Sequence, residues 1–177
     1  CGIPKGSMNL IAVKDRAVIK IIVEMQGLVD LVMPRGGESL IKEITKFAKV
    51  PVIKHYKGVC HIYIDKAAGL KMAEEICFNA KVERPGVCNA IETMLVHKDV
   101  AKQFLPLMIK RFEGAGVKIL GLKSAKGIDW SMEYLDLILA VKVVENLEAA
   151  IEHINTYGSM HSDSIITEDN LAARIFL

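Results

Sequence analysis

The sequence contains few aromatic residues and carries almost no net charge. Aromatic side chains make up 6% of the 177 residues, and the formal net charge is +2. Nucleic-acid-binding surfaces usually combine a basic patch with aromatic side chains on which bases can stack. No stretch of this sequence interleaves aromatic residues with a basic run, so we expect no nucleic-acid partner.

Long hydrophobic runs are also missing. The longest covers only residues 137–141, whereas a membrane-spanning helix needs about 20 apolar residues. The first residues lack the basic region and apolar core of a signal peptide, so we expect no membrane association. The four cysteines, at positions 1, 60, 77 and 88, are irregularly spaced. They do not suggest a disulfide framework, and a reducing cytoplasm is the simplest setting.

What the sequence does contain is a regular alternation of short β-branched runs with helical patterns. Hydrophobic residues make up 51% of the chain, enough for a well-buried core. The alternation predicts an α/β fold with a mostly parallel sheet. We expect strands at 9–13, 28–33, 50–53, 61–64, 94–96, 117–120, 137–144 and 164–167, and helices near 16–25, 39–48, 69–80, 99–113, 146–157 and 169–176.

Two parts of the chain are distinguishable. Residues 1–57 are predicted to be the second half of a doubly wound nucleotide-binding sheet, and residues 58–177 a smaller α/β lobe.

Helix 146–157 is the most clearly predicted element. Asn146 would cap its N-terminus, and Gly158 would end it. Its apolar face consists of Leu147, Ala150, Ile151 and Ile154. The Gly, Lys and Ser residues between 121 and 129 predict a surface loop.

Two of the cysteines occupy different sequence contexts. Cys77 shares the apolar stripe of helix 69–80 with Ala73 and Ile76, which predicts a core position. Cys88 follows a Pro-Gly pair and precedes a predicted helical turn, where the positive end of the helix dipole and Arg84 would stabilise a thiolate. Cys88 is therefore the candidate nucleophile, with a small buried hydrophobe as the alternative.

The sequence around Cys88 resembles a known family. The segment reads Glu83-Arg84-Pro85-Gly86-Val87-Cys88-Asn89-Ala90. Together with segments 30–38, 54–65, 133–141 and 157–162, it is similar to the γ-glutamyl phosphate reductases, which are members of the aldehyde dehydrogenase superfamily. The matching segments follow the family's order and are spread over nearly the whole chain.

The resemblance implies an aldehyde dehydrogenase-like fold and a thioester mechanism in proline biosynthesis. Cys88 would attack the acyl phosphate of L-glutamyl 5-phosphate, expel phosphate and form a thioester. Hydride from NADPH would then release L-glutamate 5-semialdehyde. Backbone N–H groups and the amide of Asn89 would stabilise the oxyanion. A helix cap is the alternative role for Asn89.

The resemblance also implies where the cofactor and the substrate bind. Arg35, Gly36 and Gly37 open a helix after an apolar strand and would lie beside the nicotinamide end of the cofactor. Glu133 would contact the nicotinamide ribose. His161 and Ser162 would bind the substrate's carboxylate or phosphate. Each assignment has an alternative. Arg35 would be a surface arginine at a plain strand-to-helix turn, and Glu133 would be a solvated glutamate. His161 and Ser162 would be polar residues that stabilise a loop.

Two departures from the wider superfamily are visible. Aldehyde dehydrogenases usually have Phe-Gly-Pro after the glutamate, whereas here Tyr134, Leu135 and Asp136 follow. Hydrolytic members carry a second glutamate two residues before a glycine that aligns with Gly58, and this chain has Tyr56 there. Without that carboxylate no base activates water against the thioester, which favours a reductase.

Other features set the remaining expectations. His55, Cys60 and His61 suggest a metal site, but adjacent strand residues point to opposite faces, so we expect no metal. The resemblance implies a homo-oligomer for the complete enzyme. It also implies cofactor-fold strands before Cys1 and a tail beyond Leu177, so that this chain alone would be inactive. Another thioester-forming member of the superfamily and a catalytically silent α/β module remain the alternatives.

Overall fold

The computed structural model describes residues 2–122, 124 and 126–177. Cys1, together with Lys123 and Ala125 of the predicted loop, lies outside the described residues. The chain divides into two compact units, Cys1–Tyr56 and Lys57–Leu177. The division falls one residue before the boundary that the sequence suggested, and the two units are described separately below.

Residues 2–56, the described part of the first unit, form two helices and very little strand. Helix α1 spans Ala17–Glu24 and helix α2 spans Glu38–Phe47. The predicted strands 28–33 and 50–53 are reduced to a single parallel bridge between Val32 and Val52. The strand predicted at 9–13 is wrong: those residues are exposed, and the described part of the unit offers them no neighbouring strand. An apolar run becomes a strand only where adjacent backbone accepts its hydrogen bonds.

The second unit is built on a parallel sheet covered by helices, as the sequence predicted. In the part of this unit that the structure describes, five strands lie in the order β3-β4-β2-β1-β5, and all of their pairings are parallel. The elements are β1 (Cys60–Ile64), α3 (Leu70–Val82), β2 (Ile91–His97), α4 (Lys98–Gly114), β3 (Lys118–Leu120), β4 (Ile138–Val144), α5 (Leu147–Tyr157), β5 (Asp163–Ile166) and α6 (Asn170–Phe176).

The strands of this sheet bury both of their faces. Ile62 and Ile64 of β1 pack in one cluster with the buried residues of α3 and α4. The intervening Tyr63 packs in a second cluster with residues of α5 and α6. Because side chains alternate across a strand, this pattern places a helical layer on each face.

Two local predictions can be judged directly. In α5, the Asn146 side chain accepts a hydrogen bond from the Ala149 N–H at 2.9 Å, and the helix ends at Gly158, as expected. In α3, Cys77 is fully buried as predicted, but Ile76 is 41% exposed and does not belong to the buried stripe. Among the described residues, no helix has both the length and the apolar character to cross a membrane.

The amino ends of four strands bring distant segments to one edge of the sheet. Cys60 opens β1 in register with Ile91, which opens β2, and His61 is in register with Asp163, which opens β5. In a parallel sheet, the segments that lead into the strands therefore meet at the same edge. The segments ending at residues 59, 90, 137 and 162 carry most of the candidate site residues.

Candidate active site

Cys88 lies in a turn between α3 and β2. Residues 85–86 and 88–89 form turns, and Cys88 and Asn89 are both exposed. The element that follows is strand β2, so the predicted helical turn, and with it the helix-dipole argument for a thiolate, is wrong. A helix-capping role for Asn89 is excluded for the same reason. The β-branched pair Ile91 and Thr93 favours the strand that begins at residue 91.

The segment leading into β1 packs directly against this turn. A Cβ atom added at Gly58 would overlap the carbonyl oxygen of Cys88, so the two backbones approach more closely than any side chain would allow. Cys60 follows two residues later, and its thiol donates a hydrogen bond to the same carbonyl oxygen at 3.2 Å. The backbone of the candidate nucleophile is therefore held from two sides.

Glu133 contacts this segment from the loop before β4. Its Oε1 atom accepts a hydrogen bond from the Gly58 N–H at 2.7 Å. The carboxylate is half-buried, and in this structure it fixes the peptide that lies against Cys88. The sequence pointed to Glu133 only as a cofactor contact, and this structural role was not predicted.

The loop before β5 completes the cluster. The Ser159 hydroxyl accepts a hydrogen bond from the Val59 N–H at 2.9 Å. His161 places its Nδ1 atom 2.8 Å from the Ser162 Oγ and 3.8 Å from the Cys60 Sγ. The structure thus brings His161 and Ser162 to the same strand edge as Cys88 and Glu133.

The thiols of the second unit differ in accessibility. Burial raises the pKa of Cys60 to about 11, with a further contribution from the negative charge of Asp163. Burial raises the pKa of Cys77 to about 12. Both therefore remain protonated near neutral pH and are poor nucleophiles. Cys88 is the exposed thiol among the described cysteines.

Arg35, Gly36 and Gly37 belong to the first unit. Gly37 precedes α2 in an extended conformation, and Glu38 opens the helix, as the sequence predicted. All three residues are exposed. Glu38 forms an ion pair with Lys42 at 2.8 Å, one turn along the same helix.

His61 and Cys60 lie on opposite sides of β1, as the strand geometry required. The His61 Nδ1 atom lies 3.0 Å from a carboxylate oxygen of Asp163, away from the Cys88 turn. Within the described residues, no three His, Cys, Asp or Glu side chains lie together as a metal ion would need.

Three residues of the cluster were not predicted as parts of a site: Gly58, Cys60 and Ser159. In the sequence, Gly58 serves only as a point of alignment, Cys60 is a candidate metal ligand, and Ser159 carries no local signal of a site. Their partners are 28 to 101 residues away. The Gly-Val-Cys order just before an apolar strand was the available local signal, but it does not say which segment packs against it.

The fold is aldehyde dehydrogenase-like. An acetylating aldehyde dehydrogenase from Geobacillus thermoglucosidasius superposes with a TM-score of 0.75 at 19% identity, covering 99% of this chain and 49% of that one. Betaine aldehyde dehydrogenase from Staphylococcus aureus, solved with NAD+, has a TM-score of 0.66 at 17% identity, covering 84% of this chain and 41% of that one. At these identities the likeness concerns the fold alone.

Within that class, the sequence is similar to the γ-glutamyl phosphate reductases. The enzyme of that name from Thermodesulfovibrio yellowstonii is 50% identical over 99% of this chain and 44% of its own length. The one from Caldanaerobacter subterraneus subsp. tengcongensis is also 50% identical, over 99% of this chain and 45% of its own length. The crystal structure of γ-glutamyl phosphate reductase from Thermotoga maritima matches with a TM-score of 0.84 at 42% identity, over 91% of this chain and 41% of that one.

The chain thus spans less than half the length of the relatives that it matches. No protein-family model matches it. The similarity to the named reductases nevertheless extends over nearly every residue of this chain.

Proposed function

We propose that this chain provides the nucleophile for the NADPH-dependent reduction of L-glutamyl 5-phosphate to L-glutamate 5-semialdehyde and phosphate, a step of proline biosynthesis. The observation that supports this most directly is the exposed Cys88, held by Gly58, Cys60 and Glu133 at the strand edge. The choice of L-glutamyl 5-phosphate as the substrate is supported by the similarity of this chain to proteins named γ-glutamyl phosphate reductase.

In the proposed first step, the Cys88 thiolate attacks the acyl carbon of the substrate. A bond forms between Sγ and this carbon, the bond from the carbon to the phosphate oxygen breaks, and inorganic phosphate leaves with the electron pair. Thiolate is both a strong nucleophile and a good later leaving group. Asn89 and nearby backbone N–H groups stabilise the oxyanion that forms on the acyl oxygen.

NADPH, when bound, supplies the hydride that reduces the thioester carbon. We propose that Glu133 orients the cofactor through its ribose, and that Arg35, Gly36 and Gly37 line its nicotinamide end. The half-buried Glu133 carboxylate binds the Gly58 N–H, and Gly58 packs against the Cys88 backbone, which supports this assignment. Residues 1–57 would then be part of the NADP-binding domain and residues 58–177 part of the catalytic lobe.

His161 and Ser162 are proposed to bind the substrate's α-carboxylate or phosphate. Their side chains lie together on the loop before β5, with the His161 ring 3.8 Å from Cys60. We further propose that the full-length protein is a homo-oligomer and that it is cytoplasmic, since its cysteine pattern suits a reducing compartment.

The residue two positions before Gly58 supports a reductase over a hydrolytic dehydrogenase. Tyr56 offers no carboxylate to activate water, so the thioester should react with hydride or, in the reverse direction, with phosphate. The alternative is a related enzyme that transfers a different acyl group.

The test uses the full-length protein and its reverse reaction, with glutamate 5-semialdehyde, NADP and phosphate. Cys88→Ser should abolish NADP reduction, whereas Cys77→Ser, a matched change at a buried thiol, should retain most of it. Omitting phosphate should stop product formation by the unmodified protein. Turnover by Cys88→Ser would overturn the mechanism, and rapid release of glutamate without phosphate would overturn the assignment as a reductase.

A further inference from the structure

A fully buried ion pair lies next to the candidate active site. Lys81, in the last turn of α3, places its Nζ atom 2.9 Å from the Oε2 of Glu92 on β2. The two side chains are 0% and 1% exposed. Burial lowers the pKa of Lys81 and raises that of Glu92, opposed by their mutual contact. Apolar side chains of similar volume often replace such a pair without loss of stability, so stability alone does not explain its presence.

The second oxygen of Glu92 has a different partner. Its Oε1 accepts a hydrogen bond from the backbone N–H of Leu135 at 3.1 Å. Leu135 has a φ of 53°, in the left-handed region that is unfavourable for a leucine by about 1–2 kcal/mol. Glu92 therefore binds the loop at a backbone conformation that the local sequence does not favour.

This loop contacts the Cys88 turn by two routes. The carbonyl oxygen of Leu135 lies 3.5 Å from the position of a Cβ atom on Gly86, two residues before Cys88. Glu133, two residues before Leu135, binds the Gly58 N–H, and Gly58 packs against the carbonyl of Cys88. Contacts through Leu135, Glu133 and Gly58 thus connect Glu92 to the nucleophile.

We propose that Glu92 is a positioning residue for the candidate active site, and that Lys81 holds its carboxylate in place. Glu92 does not contact the reacting atoms. It fixes the loop 133–136, so that Glu133 holds the Gly58 peptide against Cys88. The inference rests on the proposed function for its catalytic consequence, but its structural content can be measured separately.

Two double variants of the full-length protein distinguish the effect of the hydrogen bond to Leu135 from the effect of the ion pair between Lys81 and Glu92. Glu92→Gln with Lys81→Met removes the ion pair but keeps a side-chain oxygen for the Leu135 N–H. Glu92→Leu with Lys81→Met removes the ion pair and that acceptor together. Both fill the same space without leaving a buried charge unpaired, so their difference isolates the contact to Leu135.

We expect the kcat of the Leu/Met variant to be at least about tenfold below that of the Gln/Met variant, because small displacements of a nucleophile are costly. KM for glutamyl phosphate should differ little between them. Equal kcat in the two variants, whether high or low, would overturn the proposal. A control at the exposed ion pair Lys98–Glu145, with Glu145→Gln, should leave kcat unchanged.

Amide hydrogen exchange provides a readout that does not depend on activity. The Gly58 amide should exchange at least about tenfold faster in the Leu/Met variant than in the Gln/Met variant. The Tyr63 amide in β1 should not change, since a general loss of stability would accelerate both. If Gly58 exchange is the same in both variants, the proposal is wrong. If the unmodified protein shows this chain of contacts but no reductase activity, only the proposed function fails.

A measurement on the unmodified protein remains informative even if the Leu/Met variant does not fold. The Leu135 amide should be strongly protected from exchange, although it lies in a loop, because its acceptor is a buried carboxylate. Exchange at the rate of an exposed loop amide would contradict the proposal.

Discussion

At the residue scale, Gly58 matters because it has no side chain, and the backbone of Cys88 occupies the place where a Cβ atom would lie. A methyl group there would overlap the Cys88 carbonyl oxygen, and a backbone cannot move away as easily as the end of a side chain. The same peptide is also held by Glu133 through its N–H. Two independent contacts of the candidate site therefore depend on one position.

The consequence is a sharp difference between two glycine substitutions. Gly58→Ala should lower the kcat of the full-length protein by at least about tenfold, because the Cys88 turn must shift. Gly114→Ala, at the end of α4, should leave kcat unchanged, since no described residue beyond the adjoining helix backbone lies within 4 Å of the added methyl group. Steady-state rates of the two variants test this. Normal turnover by Gly58→Ala would mean that the turn adapts at little cost.

The residues of the site were only partly predictable from the sequence. The core position of Cys77 was predicted correctly, because helical periodicity is a local signal, whereas the nucleophilic role of Cys88 stays a prediction. The binding of Gly58 by Glu133 could not be anticipated, because the two residues are 75 positions apart and no local pattern joins them. The pairing of Lys81 with Glu92 was missed for a related reason, since a charged residue usually indicates an exposed face.

Leu135 offers a further prediction at this scale. Its left-handed backbone should make Leu135→Gly neutral or stabilising by up to about 1 kcal/mol, because glycine adopts this conformation without strain. Leu135→Ala keeps the strain and serves as the matched control. Chemical denaturation of both variants checks this. A Gly variant less stable than the Ala variant would show that strain at this position is unimportant.

At the scale of single elements, the Asn146 side chain caps the N-terminus of α5. The Asn146 side chain accepts the Ala149 N–H, which otherwise has no partner within the helix. Asn146→Ala should reduce the free energy of unfolding by about 1 kcal/mol. Asn155→Ala, at an exposed position inside the same helix, should not reduce it. Urea unfolding curves measure both, and equal effects would contradict the capping argument.

The helices and strands of the second unit were predicted correctly in type and order, but the residues at which they begin and end often differ from the predicted ones. Helices α3 to α6 and strands β1 to β5 all begin and end within a few residues of the predicted positions. The error after Cys88 arose because β2 begins three residues earlier than expected, at Ile91. In the first unit, apolar runs alone did not determine strands, since pairing depends on segments that lie elsewhere in the chain.

At the scale of the whole second unit, His153 makes stability depend on pH. It is buried on α5, with its Nδ1 atom 3.0 Å from the Lys142 ammonium of β4 and its ring 5.6 Å from that of His61 on β1. Burial lowers its pKa from 6.5 to about 3, and the positive charge of Lys142 contributes further. The folded protein therefore keeps His153 neutral where the unfolded chain would already bind a proton.

Stability should thus be complete above pH 6.5 and fall as the pH decreases from 6.5 toward 3. The contribution of this single group is at most about 1.4 kcal/mol per pH unit. His153→Gln, which cannot titrate, should show a shallower decline over the same range. Thermal or urea unfolding between pH 7 and pH 4 measures the two slopes, and parallel declines would exclude His153 as a cause.

The assembly of the strand edge from distant segments has a consequence for biosynthesis. Val59 binds Ser159, which lies 100 residues later in the chain. At a translation rate of about 5–20 residues per second, Ser159 is synthesised about 5–20 s after Val59. From its own synthesis until the end of this interval, Cys88 lacks the surroundings that the folded protein gives it. Because contacts of such long range form late, the Cys88 thiol should become correctly placed only near the end of folding.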